Sequence, residues 1–348
     1  MAEGRLGVGE HIFYFFSSAF CFSCCYLFFQ WFSQKYCSHV VQGMDIKARL
    51  EWIGNCVAFL HGIVSTIGAS YAIFCATYVI PSSADVPTFS ASSLSAAGSS
   101  SFSPNAVSNL GLTLTEYEEG VMVYYGYSWA VSVVLFITEG YLLYDTLVYL
   151  FYWKILVGRK EIAFLFHHAM GIAGIAYCLH YTIGYYLCAC FIFYEVSTPF
   201  LYCIYFSKEL GYEGSPFHKT SGLLFYLSFF LGRIVMSLYI LSEVYWLRRF
   251  IVFAMPEGSS VAVVYGMSFG VPTLFLLLNC YWFALITQQI VAELNKSNAS
   301  SMVILEGFEE AQEEQEEQKA KRGERRREIN GYSDKGYYYK MERGDLQR

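Results

Sequence analysis

Charge is what this sequence has least of. Charged residues make up only 15% of its 348 positions, against roughly 25% in an average soluble domain. With 55% of residues hydrophobic, that shortage excludes an ordinary soluble fold and points to an all-α membrane protein. The charges that exist are unevenly placed. Of the 52 Lys, Arg, Asp and Glu residues, 23 fall in 295–348, leaving 29 for the other 294 residues. The chain therefore divides into an apolar body and a charged tail. The net charge of −6 averages over both and says little about either.

Other absences narrow the reading. No small-residue cleavage pattern follows the first apolar run, which is long and aromatic, so it reads as a membrane anchor rather than a signal peptide. Cys21-x-x-Cys24-Cys25 has zinc-like spacing but no second ligand pair, and no metal is expected there. Most of the eleven cysteines sit inside apolar runs and read as small core residues. Cys75, Cys178 and Cys188 remain as candidates for a bridge on the outer side. The 81–120 segment contains neither Lys nor Arg. It is rich in Ser and other small residues, as expected of a loosely structured insert.

What is present is a set of seven apolar runs, at 11–33, 52–80, 121–152, 162–181, 183–206, 222–246 and 261–290. About 20 apolar residues cross a ~30 Å hydrocarbon core as a helix, so seven transmembrane helices are expected. The fourth and fifth are joined so tightly, near 180–184, that they must run antiparallel. Lys35, Lys47 and Arg49 lie between the first two runs, Lys154, Arg159 and Lys160 between the third and fourth, and Lys208 and Lys219 between the fifth and sixth. This alternation predicts a lumenal or external N-terminus and a cytosolic C-terminus, with Arg248 and Arg249 against the trend. The tail runs from an acidic block, Glu306 to Glu317, into a basic one, Lys319 to Arg327. It reads as a solvated segment, or as a basic patch that touches anionic lipid. Asn298-Ala299-Ser300 fits a glycosylation pattern that the cytosolic side would silence.

Ionisable and polar residues interrupt the apolar runs. His61, Asp145, the pair His167 and His168, Glu195, Arg233 and Asn279 all lie within spans. A charge at the bilayer centre costs at least ~2.5–3.5 kcal/mol on insertion scales, so such residues usually share a protein interior. Glu195 and Arg233 fall at matching depth and are expected to pair, either as a structural staple or as part of a cavity. Adjacent residues on a helix point ~100° apart, so His167 and His168 must face different neighbours. Asp145 is placed to orient one of them, as for a general base or nucleophile. The alternative is a histidine that only packs. Glu139 lies off the Asp145 face. Pro199 removes the backbone hydrogen bond to the Glu195 carbonyl, and Pro272 does the same at Ser268, which should kink both helices and free an acceptor beside Glu195. Small residues at Ala169, Gly171, Ala173, Gly174 and Ala176 make the fourth helix thin enough for close packing.

Six ordered blocks resemble the TLC-domain family: Glu51-Trp52 followed by His61, Gly140-Tyr141 with Asp145, Phe-Leu-Phe-His-His ending at His168, Glu-Val-Ser-Thr-Pro-Phe-Leu from Glu195, Arg233, and Leu-Asn-Cys-Tyr-Trp-Phe around Asn279. That family includes ceramide synthases, translocation-associated membrane proteins and less characterised TLC-domain proteins. The Glu195 block is more similar to the last group. The resemblance implies a TLC-type helical bundle over 47–292, preceded by an anchor helix in 1–46 and followed by a charged cytosolic tail, 293–348. In ceramide synthases the paired histidines belong to the active site, and this role carries to His167 and His168 alone. Their acidic His-Asp-x-x-Asp motif is missing here. Glu195-Val196-Ser197 stands in the comparable stretch, so a lipid cavity is implied without ceramide synthesis.

The leading expectation is an endomembrane protein, of the endoplasmic reticulum, acting in lipid metabolism or membrane lipid composition. In its enzyme form it transfers an acyl group to a lipid amine or hydroxyl. His167 or His168 would be base or acyl acceptor, Asp145 would orient it, and His61, Glu195, Arg233 and Asn279 would shape the cavity. Acyl-CoA would be a substrate, membrane lipids the partners, with no resident cofactor and no nucleic acid. The rival is a non-catalytic lipid-binding, sensing or transport protein. A third reading is a structural partner of other membrane proteins. A chain-long apolar cavity open to the cytosolic leaflet favours the first two, and a fully packed bundle favours the third.

Overall fold

A computed structural model of the chain describes residues 8–78, 119–253, 260–293 and 295. The expected insert at 81–120 lies almost wholly outside the described residues, as do the tail beyond α7 and the Asn298 pattern. Among the described residues, seven helices are long and apolar enough to cross a membrane: α1 (Gly9–Tyr36), α2 (Ile46–Phe74), α3 (Trp129–Phe151), α4 (Ile162–Tyr181), α5 (Tyr185–Glu209), α6 (Pro216–Trp246) and α7 (Val261–Glu293). One compact unit runs through Phe283. The following residues continue α7 as helix to Glu293.

Local capping fixes several helix ends where hydropathy did not. The second apolar run was expected to start at 52, yet α2 starts at Ile46, because the Asp45 side chain accepts the Ala48 N–H at 2.7 Å. It stops at Phe74, short of 80. The sixth starts at Pro216 rather than 222, where Ser215 accepts the His218 N–H and proline occupies the first turn. The third run splits. A wide turn at Val121–Tyr125 is followed by an extended break through Ser128, and α3 begins only at Trp129. Tyr124 and Tyr125 pack under the short helix Arg248–Phe253, where Phe250 and Ile251 are buried. This end segment folds into the bundle instead of lengthening a span.

The enclosure of the spans identifies the central helix. In α3, 61% of the apolar window is buried, against 11% in α1 and 17% in α7. Outward-facing Phe13, Phe16, Phe20 and Leu27 on α1 are exposed, as suits a helix solvated by hydrocarbon. Its inner face packs on α3, with Tyr14 against Phe136 and the Ser18 hydroxyl donating to the Ile137 carbonyl at 3.3 Å. Trp52 of α2 donates its indole N–H to the Ser33 hydroxyl at 3.0 Å. The α4–α5 turn is as tight as its spacing demands. Thr182 and Gly184 take left-handed φ values of 55° and 64°, a region costly for residues with a Cβ. The Gly184 N–H then donates to the Tyr124 carbonyl at 2.7 Å.

Each of the last three spans departs from regular α geometry. In α5 the segment Phe193–Ser197 is tightened to 3₁₀, directly before Pro199. Wide π turns occupy Phe230–Val235 of α6 and Gly266–Gly270 of α7. All eleven cysteines are free, so no bridge joins Cys75, Cys178 or Cys188.

Candidate functional site

The irregular segments of α5 and α6 meet. Gly232 lets them do so, since a Cβ there would collide with the Val196 side chain. The next residue, Arg233, sits on the wide turn and is buried. Its Nη2 lies 3.7 Å from Glu195 Oε1. Its Nε donates to the Ser197 hydroxyl at 3.1 Å and its Nη2 to Thr198 Oγ1 at 3.4 Å. Thr198 in turn donates to Glu195 Oε2 at 2.6 Å. The guanidinium also stands over the Phe229 ring, 5.2 Å from its centre. On the far side, Ser237 donates to the Arg233 carbonyl and contacts the Tyr194 hydroxyl at 2.6 Å. The expected Glu195–Arg233 pair thus exists, inside a hydroxyl network that divides its electrostatic load.

One expectation fails here. Pro199 was expected to leave a free carbonyl acceptor at Glu195. The 3₁₀ turn instead gives that carbonyl the Thr198 N–H. A tightened turn bonds i to i+3, so it replaces the bond that proline removes.

His168 and His167 point apart, as adjacent helical residues must. His168 is buried against α3, with its Nδ1 3.7 Å from Asp145 Oδ2 and 3.4 Å from the Thr146 hydroxyl. At 3.7 Å the carboxylate orients the ring by charge and contact rather than by a short hydrogen bond. His61 joins this group indirectly. Its ring stacks on Tyr141 at 3.7 Å between centroids and 10° between planes, and its Nε2 meets the Ser65 hydroxyl at 2.8 Å. Tyr141 stands edge-on to His168 at 6.3 Å. A tyrosine therefore separates the two histidines that share a depth. Glu139 is buried on α3.

His167 faces the other way, toward α7. Its ring meets Phe275 at 5.0 Å and Trp282 at 5.6 Å. It also lines an apolar cavity with about 960 Å³ of space unfilled by protein atoms, open mouth included. Leu142, Met170, Ile175, Phe191, Val271 and Phe275 are among its apolar wall residues, and Glu195 lies on the wall with His167. The cavity reaches Ile183 and Gly184 in the α4–α5 turn. From that turn to His167 is about 21 Å along α4, at ~1.5 Å per residue. This is well over half of a ~30 Å hydrocarbon core. The cavity thus runs from His167 and Glu195 toward the end of the bundle opposite the Lys-bearing loops.

The small residues of α4 make this space. Gly171 allows the close approach expected, since a Cβ there would lie 2.8 Å from Leu142 Cδ1. Gly174 does not, having nothing within 4 Å of the same position. Both line the cavity. Asn279 of α7 is wholly buried, and neither polar atom of its side chain has a hydrogen-bond partner. Among the described residues no three His, Cys, Asp or Glu side chains cluster as metal ligands would.

The sequence reading missed Tyr141 as a spacer and Ser197, Thr198 and Ser237 as partners of the ion pair. Ser197 and Thr198 directly follow the Glu195–Val196 pair, and Ser237 lies one turn after Arg233, so helical spacing carried part of this signal.

The TLC-domain family model matches residues 51–288. TLC domain-containing protein 4-B of Xenopus laevis is 30% identical over 142 residues, which cover 39% of this chain and 52% of that protein. The chain thus spans about half the length of this curated relative. No solved structure matches the chain.

Proposed function

The chain belongs to the TLC-domain family of multi-pass membrane proteins, and from that premise we propose that it handles a single membrane lipid, with the tail in the cavity and the head at His167 and Glu195. The observation that carries this reading is the cavity itself: long, largely apolar, and with a histidine and a carboxylate on its wall. Ligand sites are largely apolar with a few placed polar groups, as here. A purely structural partner of other proteins has no need of an apolar cavity with a histidine and a carboxylate on its wall. The alternation of basic loops supports a cytosolic C-terminus in an endomembrane, the endoplasmic reticulum being the proposed site, with action on lipid metabolism or membrane lipid composition.

A second reading, acyl transfer to a lipid amine or hydroxyl, is favoured by the division of labour between the histidines. His167 is on the cavity wall, and its neighbour is held by Asp145 and Thr146. In this reading a His167 ring nitrogen attacks the thioester carbonyl of acyl-CoA, the C–S bond breaks, and the thiol leaves with a proton. The lipid amine or hydroxyl then attacks the acyl carbon, the bond to the ring nitrogen breaks, and the ring takes up the nucleophile's proton. His168 and Asp145 position α4 rather than touch the reacting atoms. The cavity would hold the acyl chain throughout. The non-catalytic rival uses the same cavity and no covalent step.

Mass spectrometry of the purified full-length protein tests both. A copurifying lipid with no covalent mass increase supports binding, and an acyl mass on the peptide containing His167 supports transfer. Protein that carries no lipid, and gains none from added vesicles, overturns the proposal.

A further inference from the structure

Two residues on the cavity wall carry a buried polar atom that no well-formed hydrogen bond meets: His167, at its Nδ1, and Tyr124, at its hydroxyl. Tyr124 is only 3% exposed. It belongs to the far end of the cavity, because the Gly184 N–H of the α4–α5 turn donates to its carbonyl at 2.7 Å and both residues line the space. Its hydroxyl faces inward. Tyr177, Cys178 and Ser268 are its electrostatic neighbours, and all three are wall residues. The Ser268 side chain is near enough to bond it in part. A hydroxyl has one donor and two acceptor sites, so such a bond still leaves room for another oxygen. Tyr177 lies ten residues after His167, about 15 Å along α4 at ~1.5 Å per residue. The α4 wall residues between them, Met170, Gly171, Gly174 and Ile175, bring no polar side chain.

Along α4 the wall therefore runs polar, apolar, polar. A lipid with one head and a plain hydrocarbon tail matches only one of the two polar places. We propose that the Tyr124 and Ser268 hydroxyls form a second subsite, which receives a hydroxyl or carbonyl oxygen carried on the chain of the cavity lipid about 15 Å from its head. Paired hydroxyls take either group, because they both donate and accept. A few placed polar groups on an apolar wall fix how a ligand lies, and here they select a chain-oxygenated lipid over a plain one. The inference rests on the lipid-cavity reading, with the head at His167 and Glu195, and specifies its ligand class.

Thermal shifts on the full-length protein in detergent separate the two. The probes are 1-dodecanol and 1,12-dodecanediol, equal in chain length and different by one terminal hydroxyl. On the wild type the diol is expected to bind roughly tenfold more tightly, as one added hydrogen bond to a buried group would give. Tyr124→Phe removes the hydroxyl and keeps the ring contacts with Tyr125 and Phe250. It should keep the 1-dodecanol shift and lose the diol's excess. An excess that survives in the variant overturns the role of Tyr124. A 1-dodecanol shift that falls in the variant puts the single hydroxyl at Tyr124 and overturns the two-subsite ligand. Equal shifts by both probes on the wild type overturn the inference but leave the cavity reading standing, since water then meets Tyr124. No shift by either probe removes the cavity reading and the inference together. Should Tyr124→Phe fail to fold, Ser268→Ala gives the same comparison, and the wild-type contrast between probes decides alone if neither folds.

Discussion

Arg233 and Glu195 face each other at 3.7 Å across two irregular helical turns, and the residues between them in space are the hydroxyls of Ser197 and Thr198. The pair is therefore part of the backbone design. The 3₁₀ turn sets the carboxylate, the π turn sets the guanidinium, and the hydroxyls fill the gap that a direct short contact would have closed. Wide turns inside helices are frequent at functional sites because they re-aim a side chain without ending the helix. Here the re-aimed guanidinium holds Glu195, whose side chain lies on the wall of the apolar cavity.

Removing one partner should cost more than removing both. Glu195→Gln or Arg233→Met leaves a buried charge without its complement, a loss of ~3–5 kcal/mol. The double variant should recover part of that. Thermal or denaturant unfolding of the four proteins in detergent gives the coupling, and strictly additive losses would rule the pair out as a unit.

The pairing was legible in the sequence because depth along a helix follows from residue counting at ~1.5 Å each, and lone charges are too costly to leave in hydrocarbon. The same counting placed Asp145 beside the histidine pair, and hydropathy located the seven spans. Helix ends were not legible from hydropathy, because Asp45 and Ser215 decide two starts by capping. Nor was the break before Trp129, since an apolar run reads the same whether it crosses the bilayer or folds against Phe250. A cavity was expected from the family resemblance, but its position was hidden for a different reason. It is made by what Gly174 lacks, and a small residue in a sequence signals close packing and open space equally.

Gly174 therefore offers a test of the cavity that leaves every polar group in place. Gly174→Leu puts a side chain into open cavity space and removes a helix-interior glycine, worth ~0.5–1 kcal/mol in propensity. The variant should unfold at the same or a higher temperature and carry less copurifying lipid. A lower melting temperature with unchanged lipid content would show that the space is not used.

Membrane orientation has its own readout. The α5–α6 connection and the α4–α5 turn must lie on opposite sides of the bilayer. On a Cys-free background, Glu213→Cys should label from the cytosolic side and Thr182→Cys from the lumenal side. The reverse result would place the cavity's far end in the cytosolic leaflet and overturn the reading of the basic loops.

The two histidines should separate in their effects. His168 is buried with Asp145 and Thr146 on its Nδ1 side, so His168→Ala removes the neighbour of a buried carboxylate. A loss of ~1–3 kcal/mol is expected, with the protein still folded. His167 meets rings on α7, the ring of His168 and the cavity, and its Nδ1 has no partner to lose. His167→Ala should therefore change stability little while altering whatever the cavity does. Melting temperatures of the purified variants give the first half. Lipid profiles of cells expressing each variant at matched levels give the second. In the acyl-transfer reading, His167→Ala abolishes any change the wild type makes in cellular lipids and removes any acyl mass from the His167 peptide. Glu195→Gln, scored only in its folded fraction, would keep that acyl mass. If His167→Ala reproduces the wild-type lipid profile while its bound lipid persists, acyl transfer through this residue is excluded. The protein would then be a binder or sensor, because a cavity that holds lipid without its wall histidine needs no covalent step to do its work.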